Sequence, residues 1–142
     1  MYEPAGGSAD GALGTDQDPA DEQPLRTDIG HVVYPTCAAL VVTAAGEIDL
    51  STREQFRAAL TAGFNQLRHG EILVIDLTNV TFVSSTGLQA LVDIAQAMQQ
   101  RPEPLRIVVD HTRPVIHPLK ITGLHEILAL FNTVNDALQT PR

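Results

Sequence analysis

The run Ile72–Leu77 (ILVIDL) constrains the fold more than any other stretch of the chain. It is nearly all apolar and half β-branched, the composition of a central strand covered on one face or both. The segments around it alternate in period. His31–Tyr34 and Leu40–Ala45 are short and apolar, broken by Pro35 and Gly46, and are predicted to form a hairpin of two strands. Ser51 followed by Glu54 reads as a capping box, and Phe56, Leu60, Phe64 and Leu67 then recur at helical spacing, predicting a helix over about Thr52–Arg68 ended by His69-Gly70. Thr78–Gly87 is expected to link the central strand to a second helix, with Leu88, Leu91, Val92, Ala95 and Met98 on its buried face and Arg101-Pro102 at its end. A strand over Leu105–Val109, a third helix over about Pro114–Ile121 closing at Thr122-Gly123, a short strand over Ile127–Phe131 and a helical turn or two over Thr133–Leu138 complete the series. Pro118 removes a backbone donor inside the third helix, so a kink or a shortened first turn is expected there. The order ββαβαβα predicts one α/β domain with a mixed, parallel-centred sheet of four to five strands. No internal repeat is visible.

The length of 142 residues fits one domain and a tail, and the 44% apolar content is enough for a core. Residues 1–28 hold seven acidic side chains and one arginine, together with four Gly and three Pro, and show no apolar periodicity. They are expected to form a flexible acidic tail, with the folded unit spanning 29–142. The net charge of −8 repels phosphate backbones and anionic lipid, and aromatics make up only 4% with no Trp, so neither nucleic acid nor a membrane surface is an expected partner. Cys37, the one cysteine, has no intramolecular disulfide partner and is expected simply to be packed. The opening MYEPAGGSAD has neither basic leader nor apolar core, so no secretory signal is expected, and no apolar run reaches spanning length. A cytoplasmic protein is the resulting expectation.

Catalytic equipment is sparse. Val83-Ser84-Ser85-Thr86-Gly87 lacks the first glycine of a nucleophile elbow, no phosphate-binding glycine loop occurs, and no two histidines are four residues apart. Asp49, Asp76 and Asp110 follow predicted strands, where α/β domains place ligand groups, but the same positions suit turns and caps. No enzyme, cofactor or metal is expected. The three hydroxyls Ser84, Ser85 and Thr86 stand where the second helix begins. One of them can serve as its cap; another at that place would tolerate a phosphate, facing free N–H groups and the positive end of the helix dipole. Gly87 costs about 1 kcal/mol of helix propensity against Ala, which points to a close approach by something there, such as a partner's backbone.

These residues resemble STAS domains of the anti-sigma factor antagonist group. Gly46-Glu47-Ile48-Asp49 with Ser51-Thr52 is similar to that family's GELD-x-x-[ST] turn. Asp76–Leu88 is similar to its DLS-x-[VL]-x-F-[ML]-DSSGL segment, and Leu119, Thr122-Gly123-Leu124 and Ile127 to its L-x-x-[ST]GL-x-x-[IL] signature. The resemblance covers about Ile29–Arg142. It implies helices mainly on one face of a small sheet, and a non-enzymatic module that binds an anti-sigma factor and so indirectly frees a sigma factor. The anti-sigma factor of such a pair is often a histidine-kinase-like serine kinase, and a metal-dependent serine phosphatase reverses its action. The matching phosphoacceptor is Ser85, with Asp49, Ser84, Thr86 and Gly87 in the partner-binding surface. Ser84 stands where the family has Asp, a hydroxyl in place of a charge. Within the family the alternative reading is a sensor or scaffold that binds a small ligand, nucleotide or other regulator and is never phosphorylated.

Overall fold

The computed structural model describes residues 25–33, 37–112, 116–124 and 128–139. Five strands, β1 (Arg26–Val33), β2 (Ala38–Ile48), β3 (Ile72–Val83), β4 (Leu105–Val108) and β5 (Leu130–Phe131), form one sheet in the order β1-β2-β3-β4-β5. β1 pairs antiparallel with β2, and every later pairing is parallel. The helices are α1 (Arg53–Gln66), α2 (Ser85–Met98), α3 (Ile116–Ile121) and α4 (Val134–Gln139). The predicted hairpin and crossovers are thus present.

Alternation along the strands divides the core in two. Leu40, Val42 and Ala44 of β2, and Leu73, Ile75 and Leu77 of β3, face one side. There they pack with Phe56 and Leu60 of α1, Leu88, Leu91 and Ile94 of α2, and Leu119 of α3. Ala39 and Ile72, Val74 and Val108 face the other side, where Ala137 and Leu138 of α4 cover them. ILVIDL is therefore covered on both faces. Buried Arg106 anchors α4 by donating from Nη1 to the Ala137 carbonyl, and its guanidinium lies over the Phe131 ring at 5.6 Å. Cys37 packs half-buried beside α4, its thiol 3.4 Å from the Leu138 carbonyl.

Several expectations are corrected. β3 does not end at Leu77 but continues through Val83, because Val80 and Val83 keep burying side chains against the same core. β1 begins at Arg26, ahead of the strand predicted from His31, and Leu25 is buried with its carbonyl bound by Gln55 Nε2 at 2.6 Å. Ser51 and Glu54 form no capping box: the N-cap is Thr52, which makes no side-chain cap bond, and Ser51 donates its hydroxyl to Asp49. Pro118 falls in the first turn of α3, where its missing N–H has no intrahelical partner to lose. The remainder of the tail (1–24), Tyr34-Pro35, Pro114 and Ile127 lie outside the described residues.

Two buried carboxylates tie connections together at the start of the parallel strands. Glu71 accepts from the Arg68 backbone N–H at 2.6 Å and meets His31 Nδ1 at 2.7 Å. Glu103 accepts from the Gly70 N–H at 3.1 Å and from Arg101 Nε at 3.0 Å, while Arg101 also donates to the carbonyls of Phe64 and Leu67. The Gly70 amide, then Arg101, holds the Glu103 carboxyl below its ordinary value of 4.5, against the opposing effect of its desolvation. The unfolded chain then binds the proton more readily than the folded one. The stability from this carboxylate is present in full above the ordinary value and is lost as pH falls through the folded-state value. Glu103→Gln is expected to lower the melting temperature at neutral pH and to flatten its decline in acid. Melting curves recorded across that pH range check this.

Candidate functional site

The site lies at the carboxyl ends of β2 and β3. Gly46, at φ +119°, sits in an irregular stretch of β2 where the register against β3 shifts between Gly46 and Glu47. That conformation is open to Gly and strained for other residues. Beyond the bulge Glu47 pairs with Phe82 and Ile48 with Val83, and the Ser84 N–H donates to the Ile48 carbonyl at 2.8 Å. This register brings the loop after β2, which carries Asp49, alongside the start of α2.

Asp49 organises its own loop. Oδ1 accepts from the Ser51 hydroxyl at 2.7 Å, the Ser51 N–H at 3.0 Å and the Thr52 N–H at 3.1 Å. Thr52 Oγ1 accepts from the Asp49 N–H at 2.9 Å and donates to the Glu47 carbonyl at 2.8 Å. The Ser51 hydroxyl, followed by these backbone amides, holds the Asp49 carboxyl below the usual aspartate value, against a smaller effect of desolvation. Asp49 is therefore an anion fixed in place at neutral pH. Thr52, which was not among the expected site residues, closes the turn; its signal is the terminal [ST] position of the GELD-x-x-[ST] pattern.

The three hydroxyls divide their work. Ser84, extended at ψ 174°, is the N-cap of α2: its Oγ accepts from the Gly87 N–H at 3.4 Å and lies 2.7 Å from Thr86 Oγ1. Ser84 and Thr86, both half-buried, thus satisfy each other. Ser85, the first helical residue, is exposed, and its hydroxyl has no hydrogen-bond partner among the described residues. α2 carries no acidic residue in its first turn, so its N-terminal dipole lacks an acidic neighbour on the helix itself. Ser84→Ala is expected to cost about 1 kcal/mol by removing the cap, read as a lower urea midpoint with an unchanged slope.

Gly87 plays a different part from the one expected. It is buried, and a Cβ there would stand 2.6 Å from Val83 Cγ2 and 2.7 Å from Ile48 Cγ2. The space left by its missing side chain is filled by the protein's own strands and is not open to a partner's backbone. Its role is to let α2 close onto β2 and β3, which sets where Ser85 emerges. Of the other aspartates, Asp76 lies within β3 and binds Thr78 through Oδ1, and Asp110 binds Thr112 in the same way after β4. Asp110 is occupied in a turn, as the turn reading anticipates, whereas Asp76 binds Thr78 from within a strand that runs on to Val83, so no turn follows it.

The family model for the STAS domain matches residues 30–137. The anti-sigma-B factor antagonist of Listeria monocytogenes is 33% identical over 91 residues, covering 64% of this chain and 77% of that one. The anti-sigma-F factor antagonist RsfB of Mycobacterium tuberculosis is 33% identical over 98 residues, covering 69% and 77%. The crystal structure of an anti-sigma factor antagonist from Mycobacterium paratuberculosis superposes with a TM-score of 0.67 at 27% identity, over 82% of this chain and 94% of that one. No helix among the described residues is long and apolar enough to cross a membrane. The chain belongs to the STAS domain family, within its anti-sigma factor antagonist group.

Proposed function

We propose that this protein is a regulatory binding module of the cytoplasm, not an enzyme: it binds an anti-sigma factor, thereby releases a sigma factor, and is switched by phosphorylation of Ser85. The names of its relatives support the first part of this reading. The observation that carries the second is the division among the hydroxyls. Ser84 and Thr86 are spent on each other and on the helix cap, whereas Ser85 is exposed and has no partner among the described residues. The kinase of this reading is the anti-sigma factor itself, of the histidine-kinase-like type, and a metal-dependent serine phosphatase resets the switch. Asp49, Ser84 and Thr86 frame the hydroxyl that the partner meets, and Gly87 sets the height at which it stands.

Intact mass and site mapping test the reading. After incubation with magnesium ATP and a purified kinase-type anti-sigma factor of the same organism, the chain is expected to gain one phosphate, on Ser85. The phosphatase is expected to remove it, and Ser85→Ala to accept none. Tight binding to the anti-sigma factor with no phosphate gained would favour a scaffold that is not switched in this way.

A further inference from the structure

Four large apolar side chains are exposed among the described residues: Val33, Leu50, Phe82 and Ile121. Isolated exposed apolar residues are ordinary and need no explanation. Val33 ends β1 opposite Ala38, where β2 begins, so it lies at the far end of the sheet from Ser85. Ile121 closes α3, a crossover helix that has run back from the carboxyl end of β4. Leu50 and Phe82 are placed differently. Leu50, 69% exposed, directly follows Asp49, and Phe82, 50% exposed, is paired in register with Glu47 three residues before Ser85. Leu50 stands in the turn after β2, next to the fixed carboxylate in the chain, and Phe82 stands at the end of β3, just ahead of the cap of α2. The other described phenylalanines are buried or half-buried, so among the described residues Phe82 is the exposed phenylalanine.

We infer that Leu50 and Phe82 are the apolar anchors of the anti-sigma factor interface, seated in apolar recesses of that partner on either side of the spot that receives Ser85. The inference rests on the reading that this protein binds an anti-sigma factor through the Ser85 surface; it adds which side chains hold the complex together. Interface cores favour buried aromatic anchors and exclude charge. The Ser85 hydroxyl and the Asp49 carboxylate confer control and register but little affinity by themselves. Two apolar side chains beside them complete the division: Leu50 and Phe82 provide the grip, and the hydroxyl carries the switch. Phe82 buries more area than Leu50, and aromatic anchors dominate such surfaces more often than leucine, so Phe82 is the stronger of the two.

Titration calorimetry of the full unphosphorylated chain against the purified kinase-type anti-sigma factor tests this. Phe82→Ala is expected to weaken binding about 30- to 100-fold and Leu50→Ala about 10-fold, with Phe82→Leu between wild type and Phe82→Ala. Val33→Ala and Ile121→Ala serve as controls and are expected to stay within about 2-fold. Melting temperatures show that each variant is folded. The inference is overturned if Phe82→Ala and Leu50→Ala bind like wild type while Ser85→Glu still disrupts the complex. It is equally overturned if the two residues instead hold together two copies of this chain, seen as a dimer by sedimentation that Phe82→Ala dissolves without affecting anti-sigma binding. Failure of the wild-type chain to bind any such anti-sigma factor would instead sink the underlying functional reading, and the inference with it.

Discussion

Stoichiometric phosphorylation of Ser85 is expected to weaken binding to the anti-sigma factor by about 100-fold or more, while the domain stays folded. The phosphate adds a charge approaching −2 and a strongly hydrated group to a surface that must desolvate on docking. Asp49 sharpens the effect. Its carboxyl is held ionised by the Ser51 hydroxyl and the Ser51 and Thr52 amides, so the new charge arrives beside an anion that does not readily take up a proton. A factor of 100 corresponds to about 2.7 kcal/mol, well within the cost of like charges and stranded polar groups at an interface. The helix itself gains: a phosphate on the first residue of α2 faces the positive end of the dipole, stabilising by about 0.3–1 kcal/mol. The melting temperature of the phosphorylated chain is therefore expected to equal or exceed that of the unmodified one. The pair of readouts separates a surface switch from an unfolding event. Ser85→Glu supplies half the charge and is expected to reproduce most of the loss, and Ser85→Ala is expected to bind within about 3-fold of wild type. Unchanged affinity on full phosphorylation would remove Ser85 from the mechanism. Loss of affinity with a lowered melting temperature would assign the effect to the fold.

The order of elements and the identity of the parallel core were legible because they rest on periodicity: ILVIDL, the Phe56/Leu60/Phe64 stripe and the Leu88/Leu91 stripe each report a buried face directly. The misread features depend on neighbours distant in the chain. Ser51 and Glu54 have the spacing of a capping box, but Asp49 outcompetes the helix for the Ser51 hydroxyl because the loop after β2 folds back on itself. Thr78–Val83 looks polar enough for a loop, yet pairing with β2 as far as Ile48 keeps it in the sheet. Nothing in the sequence marks Glu71 and Glu103 as buried: Glu71 is held by the Arg68 amide of its own turn and by His31 of β1, and Glu103 by the Gly70 amide, 33 residues away in the chain. At the site, the hydroxyl cluster was visible as a cluster, but which of its members was spare was not. That depended on Ser84 turning to cap α2 and to meet Thr86.

Gly87 carries the other large expected effect. Its conformational freedom is not what the position requires, since it sits inside a helix; the constraint is space. A Cβ would come within 3 Å of methyl groups on both Val83 and Ile48, at 2.6 and 2.7 Å. Those methyls belong to β-branched side chains stiff at χ1, in buried strand ends, so neither can swing aside cheaply. Gly87→Ala gains about 1 kcal/mol of helix propensity, and overpacking of this kind costs about 1–3 kcal/mol, so a net loss of up to about 2 kcal/mol is expected. Gly87→Val adds two further methyl groups and returns part of the propensity gain, and is expected to lose about 3 kcal/mol or more. Gly30 provides the control, because nothing lies within 4 Å of a Cβ there and valine suits a strand; Gly30→Val is expected to leave stability unchanged or raise it slightly. For Gly87→Ala, which stays folded, relief of the clash must lift the first turn of α2 away from β2 and β3. Ser85 then leaves its position beside Asp49, and both anti-sigma binding and the rate of Ser85 phosphorylation are expected to fall by more than the loss of folded protein explains. Urea unfolding gives the folded fraction, and binding per folded molecule gives the remainder. If that remainder matches wild type, Gly87 serves core packing alone and the placement of Ser85 tolerates movement of the helix.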